Sequence, residues 1–161
     1  MRYLGFVFIL LVLWGCNSQE DEVINRETSY FLHRAGYEPV SGEVTFTELG
    51  PGKVEVAVNL KNTEPGYQFP AHLHFGTINE VGELAFQLRD VDGATGRSVT
   101  VLDQAELSNG DIFTYDHLET MNGSVKIHMS AELFKHVVLC YGNVGANENY
   151  ITDGVTVCTG H

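Results

Sequence analysis

Positive charge is scarce in this chain of 161 residues: nine Lys and Arg stand against 21 Asp and Glu, a formal net charge of −12. A body that acidic is a poor partner for nucleic acid or for anionic lipid headgroups, and suits solubility and cations instead. There is no internal repeat, no low-complexity tract and no second domain boundary. Long apolar runs are also missing, with one exception at the N-terminus. That run, Leu4 to Trp14, is shorter than the roughly 20 residues that a membrane span needs. Cysteine is rare, with three in all: Cys16, Cys140 and Cys158. Helical periodicity is nearly absent, and only Ser130 to Lys135 reads as a single turn of helix.

What is present begins with export. Met1-Arg2-Tyr3 places one positive charge before the apolar run, which is the pattern of a signal peptide. Leu13-Trp14-Gly15-Cys16 resembles the lipobox of bacterial lipoproteins, although Trp14 is bulkier than that pattern usually carries. The resemblance implies cleavage before Cys16 and a lipid on its sulfur, hence a cell-envelope protein held on the bacterial outer membrane, periplasmic or surface-exposed. An ordinary signal peptide with an incidental Cys is the alternative. Loss of residues 1–15 removes Arg2 and moves the net charge from −12 to −13. The acidic segment Asn17 to Glu22 reads as the start of a polar tether over 16–35. Residues 36–161 then form one domain with a core of its own. In an exported chain Cys140 and Cys158, 18 residues apart, suit a disulfide worth roughly 3 kcal/mol in the chain-entropy picture. Two buried thiols are the other reading.

The body is a series of short alternating segments punctuated by glycine. Glu43 to Thr47 and Lys53 to Leu60 both follow period two, with Val54, Val56, Val58 and Leu60 on one face. Leu49-Gly50-Pro51-Gly52 between them predicts a hairpin. Further strands are expected at 71–75, 83–88, 98–102, 123–129 and 136–141, separated by turns such as Asp92-Gly93 and Asn109-Gly110. The sum is an all-β fold, an antiparallel Greek-key sandwich or flattened barrel of about seven to eight strands.

Of the seven histidines, the informative pair is Ala71-His72-Leu73-His74-Phe75. Residues i and i+2 of a strand share a face, so His72 and His74 present two imidazoles side by side. Neutral imidazole pairs of this kind hold copper or zinc. Two ligands make a weak site. His128 is the best third, because in Ser124 to Met129 it shares the polar face with Ser124 and Lys126 while Val125, Ile127 and Met129 take the other. Periodicity cannot make the two strands neighbours, so surface histidines that never meet remain an alternative. His117 after its turn, His33 near the tether, His136 before an apolar strand and the terminal His161 read as non-ligands.

Val40-Ser41-Gly42-Glu43-Val44-Thr45-Phe46, then Gly50 to Val56, then Gly66 to Gly76, resemble the first half of a copper–zinc superoxide dismutase. Val125-Lys126-Ile127-His128 and Leu139-Cys140-Tyr141-Gly142-Asn143-Val144-Gly145 resemble segments of its second half. The likeness spans about Val40 to Gly145 with a weak middle. It implies the dismutase sandwich and His72, His74 and His128 as copper ligands. Cys140 matches the family's disulfide cysteine, but the partner position after the His-x-His strand holds no Cys, so Cys158 would substitute. No His lies between His74 and His117, so no zinc site is expected. Where the family has its active-site Arg, this chain has Val137, with Lys126, Lys135 and His136 as the nearby cations. Chordin-type domains, which resemble the same sandwich without a settled enzymatic role, also match Ala71 to His74 and Val125 to Ser130, but their usual ending is missing. Three functions stay open at this point: an anchored metal-binding sandwich without turnover, a copper-only superoxide dismutase, and a structural or adhesive module binding no metal.

Overall fold

A computed structural model describes residues 25–80 and 82–147; the expected signal peptide, Cys16 and Cys158 lie outside the described residues. Among the described residues ten strands run as β1 Glu27–Arg34, β2 Ser41–Gly50, β3 Lys53–Lys61, β4 Gln68–Phe69, β5 Ala71–Phe75, β6 Leu84–Gln87, β7 Val91–Asp92, β8 Arg97–Asp103, β9 Asn122–His128 and β10 Val138–Gly145, with a helix, α1, at Tyr115–Thr120 before β9. Every pairing is antiparallel. The strands form one curled sheet in the order β4-β7-β8-β3-β2-β1-β10-β9-β5-β6, a half-barrel around its own core. Among the described residues no helix is long and apolar enough to cross a membrane.

The all-β expectation is met, and the β2–β3 hairpin turns at Pro51-Gly52 as its sequence demands. Three differences follow from physical causes. β4 and β7 are two residues each, too short to show period two in a sequence. β1 lies within the span read as tether, yet its Tyr30 and Leu32 point inward, 7% and 1% exposed, and it pairs with β2 on one side and β10 on the other. The tether reading therefore stops short of Glu27: a strand with only two inward apolar residues is a weak signal. The helix is displaced as well. Residues 130–137 form turns, closed by Phe134 N–H to Ser130 Oγ at 2.9 Å and Val137 N–H to Phe134 O at 2.9 Å. The helix is instead α1, where Thr114 Oγ1 caps the first turn by accepting from His117 N–H at 3.0 Å, and Tyr115 and Leu118 are buried.

The core lies on the inner face of the curl. Val44 and Phe46 of β2, Val54, Val56 and Val58 of β3, Leu73 of β5, Leu102 of β8, and Val125 and Ile127 of β9 are all at most 1% exposed, with Phe113 and Leu118 among them at 0%. Arg26 fixes α1 to the start of β1. It pairs with Glu48 at 2.7 Å and Asp116 at 2.7 Å and lies 4.6 Å above the Tyr115 ring. The hydrogen bond from Arg26 holds the Glu48 carboxyl below its ordinary range.

Candidate metal centre

Strand β9 runs between β5 and β10. Directly opposed residues of antiparallel strands share a face with Cβ atoms about 5 Å apart. The register sets His72 opposite Lys126 and His74 opposite Ser124, and it sets Tyr141 and Asn143 of β10 opposite the same two residues of β9. Leu73, Val125 and Ile127 take the core face by alternation, so His72, His74, Ser124, Lys126 and His128 all stand on the outer face of the sheet.

The three histidines meet there. The His72 ring lies 4.7 Å from that of His128 and 5.8 Å from that of His74, centre to centre. One nitrogen of each lies within 4.8 Å of the others. Two nitrogens on one ion at about 2.0–2.1 Å stand about 3.3 Å apart in tetrahedral geometry, so side-chain rotation closes the trio on a single cation. His74 and His128 are 0% and 2% exposed while His72 is half-buried, which leaves the His72 side as the open one. His74 Nδ1 lies 3.0 Å from Gly82 O. A carbonyl only accepts, so that contact puts the proton on Nδ1 and leaves the Nε2 lone pair for a ligand. This is the orienting hydrogen bond that metal-binding imidazoles ordinarily have.

What sequence patterning does not reveal is the cover. Residues 76–80, and Gly82 beyond them, fold back over the outer face of β5, β9 and β10. Ile78 N–H donates to Asn143 Oδ1 at 3.0 Å, Lys126 Nζ donates to Glu80 O at 3.2 Å, and Gly76 N–H donates to Asn122 O at 2.7 Å. Within the connection, Thr77 N–H bonds Glu80 Oε2 at 2.8 Å. Gly82 passes so close to β5 that a Cβ there would collide with Phe75 O. Ile78 is 2% exposed, and Ser124, Lys126 and His128 of β9 are buried with it. Asn143, which the sequence offered only within the dismutase-like segment Leu139 to Gly145, and Gly82 hold this cover and the His74 ring in place.

The other sequence candidates fall elsewhere. His33 is exposed on β1. His117 belongs to α1, its ring 6.0 Å from that of Phe113. His136 and Lys135 are exposed in the 130–137 turns, and His161 lies outside the described residues. Cys140 is buried and forms no disulfide among the described residues, and burial pushes its thiol up to about 12; its expected partner Cys158 is outside the described residues. Comparison of the chain with protein-family profiles, with curated proteins and with solved structures finds no match.

Proposed function

We propose that this protein is a lipid-anchored cell-envelope protein, of the superoxide dismutase-like and chordin-like sandwich type, that binds copper through His72, His74 and His128 without dismutase turnover. The observation that carries the reading is the meeting of three imidazole nitrogens within 4.8 Å from two strands whose sequences are some fifty residues apart. Three neutral nitrogens suit copper or zinc, and at a nitrogen site of this kind copper binds more tightly among the divalent ions. The lipobox-like Leu13 to Cys16 supports the anchor at Cys16, and an oxidising envelope supports a Cys140–Cys158 bond. Greek-key closure of the curled sheet belongs to the same proposal. Binding without turnover is favoured because position 137 is Val137, Lys135 and His136 are exposed in a separate turn, and Lys126, the cation beside His72, is fully buried with its Nζ on Glu80 O.

The test uses the full chain in mild detergent with one equivalent of Cu(II), beside its His72→Ala/His74→Ala variant. The double change should lower copper affinity by about a hundredfold or more. Equal affinity of the two proteins would remove the metal reading and leave the structural or adhesive one. If copper binds, superoxide decay no faster than that of the double variant fits holding, whereas a faster decay establishes the dismutase alternative. Intact mass with and without reductant tests the disulfide, and the mass of the membrane-extracted protein tests the lipid.

A further inference from the structure

A second site lies on the same outer face, beginning two strands from the nearest histidine strand, β9, and sharing no residue with the histidine trio. A cleft of about 580 Å3 opens across β1, β2, β3 and the turn leading into β8. Its volume is that of a small-molecule site. Its floor is the outer face of these strands, where Glu43 and Asn59 stand, while Gly42, in register with Leu32 and Leu60 of the inner face, lies so close to β3 that a Cβ would collide with Asn59 O.

Three cations border this floor: Arg34 at the end of β1, Lys61 at the end of β3 and Arg97 at the start of β8. All three are exposed, and none makes an ion pair or a side-chain hydrogen bond among the described residues. Arg26 and Lys53, which lie outside the cleft, are instead paired with carboxylates at 2.7 and 3.2 Å. In a chain with 21 acidic residues and nine basic ones, unpaired cations gathered at one concavity mark an anionic ligand. The side-to-side span from β1 to β3 is two strand spacings, about 10 Å, so the ligand carries charge at both ends.

The remaining lining narrows the class. Phe31 is 76% exposed on the strand surface, and the His33 ring follows it at 6.4 Å, tilted by 48°, so the cleft offers the face of one exposed aromatic ring beside an imidazole. Directly across from Phe31 in register stand Glu43, Asn59 and Arg97, in that order. A carboxylate in the centre of the row repels a bare phosphate ion but accepts hydrogen bonds from hydroxyl groups. Asn59 can both donate and accept. We infer that this cleft binds an acidic oligosaccharide of two to three units, its ring face on Phe31, its hydroxyls on Glu43 and Asn59, and its carboxylate or sulfate groups on Arg34, Lys61 and Arg97.

Binding of trigalacturonate, a heparin-derived tetrasaccharide, neutral maltotriose and inorganic phosphate to the full chain in mild detergent tests this. At least one acidic saccharide should bind ten or more times tighter than maltotriose. The Lys61→Gln/Arg97→Gln variant should lose at least tenfold of that affinity and Phe31→Ala at least threefold, while Lys53→Gln leaves it unchanged. The inference is overturned if neither acidic saccharide exceeds maltotriose, or if phosphate binds as tightly with the same sensitivity to Lys61 and Arg97. It is also overturned if Lys53→Gln weakens binding as much as the cleft variant, because that would make the effect one of diffuse charge. The copper site is not involved, so the His72→Ala/His74→Ala variant should bind the saccharide normally.

Discussion

Strands β3 and β9 have the same period-two sequence and opposite outer surfaces. Along β3, Val54, Val56, Val58 and Leu60 are buried on the inner face, while Lys53, Glu55, Ala57 and Asn59 are half-exposed on the other. Along β9, Val125 and Ile127 are buried on the inner face, but Ser124, Lys126 and His128 on the outer face are buried too. The inner faces obey the same rule, since both contribute apolar area to one core. The outer faces differ because one is left to water and the other lies under residues 76–80, whose backbone bonds to Lys126 and Asn143. A polar face is thus only a statement about residue type. Whether it becomes a solvated surface or an enclosed site depends on what crosses above it.

Truncation at matched outer positions should show this contrast most strongly. Lys126→Ala removes a fully buried alkyl chain and the bond to Glu80 O, and should cost about 2–4 kcal/mol in urea unfolding. Glu55→Ala on β3 should stay within about 0.5 kcal/mol, as surface changes do. Equal costs would erase the distinction between the two faces. Next in size is Gly82→Ala. The added Cβ pushes the connection off β5 at Phe75 O and with it the carbonyl that holds His74 Nδ1. We expect a loss of about 1–3 kcal/mol together with a roughly tenfold drop in copper affinity. A loss of stability with unchanged copper binding would mean that the cover does not orient His74. The smallest effect is expected at Ser124. Its Oγ is buried and makes no hydrogen bond among the described residues, so Ser124→Ala should be neutral or stabilising by up to about 1 kcal/mol. Destabilisation beyond that would reveal a polar partner for the hydroxyl and sharpen the picture of β9 as a fully satisfied polar face.

Much of the fold was legible because its cause is local. The alternation of Lys53 to Leu60 and the Gly50-Pro51-Gly52 turn dictate a hairpin whatever the rest of the chain does. The strand at 71–75 and the one ending at His128 were also readable, with their inner and outer residues. β1 was not, because Tyr30 and Leu32 alone cannot distinguish a strand from a tether until β2 and β10 flank them. The short helix escaped for a similar reason: a six-residue helix shows less than two turns of periodicity, and Thr114 becomes a cap only when Tyr115 and Leu118 have a core to enter. At the site, His72 and His74 were paired by the chemistry of a strand alone. His128 was a companion of the right type whose distance no pattern could supply.

The sequence by itself determined the inner and outer faces of the main strands, the acidic body and the three imidazoles that stand ready on outer faces. Those properties follow from residue type and from the two-residue period of an extended chain. The tertiary structure decided that β5 and β9 are neighbours, that His72, His74 and His128 therefore share one place, and that residues 76–80 and Gly82 cover the face on which they stand. Strand pairing and loop coverage join residues distant in sequence, and their free energy arises from contacts that exist only once the sheet has curled around its core.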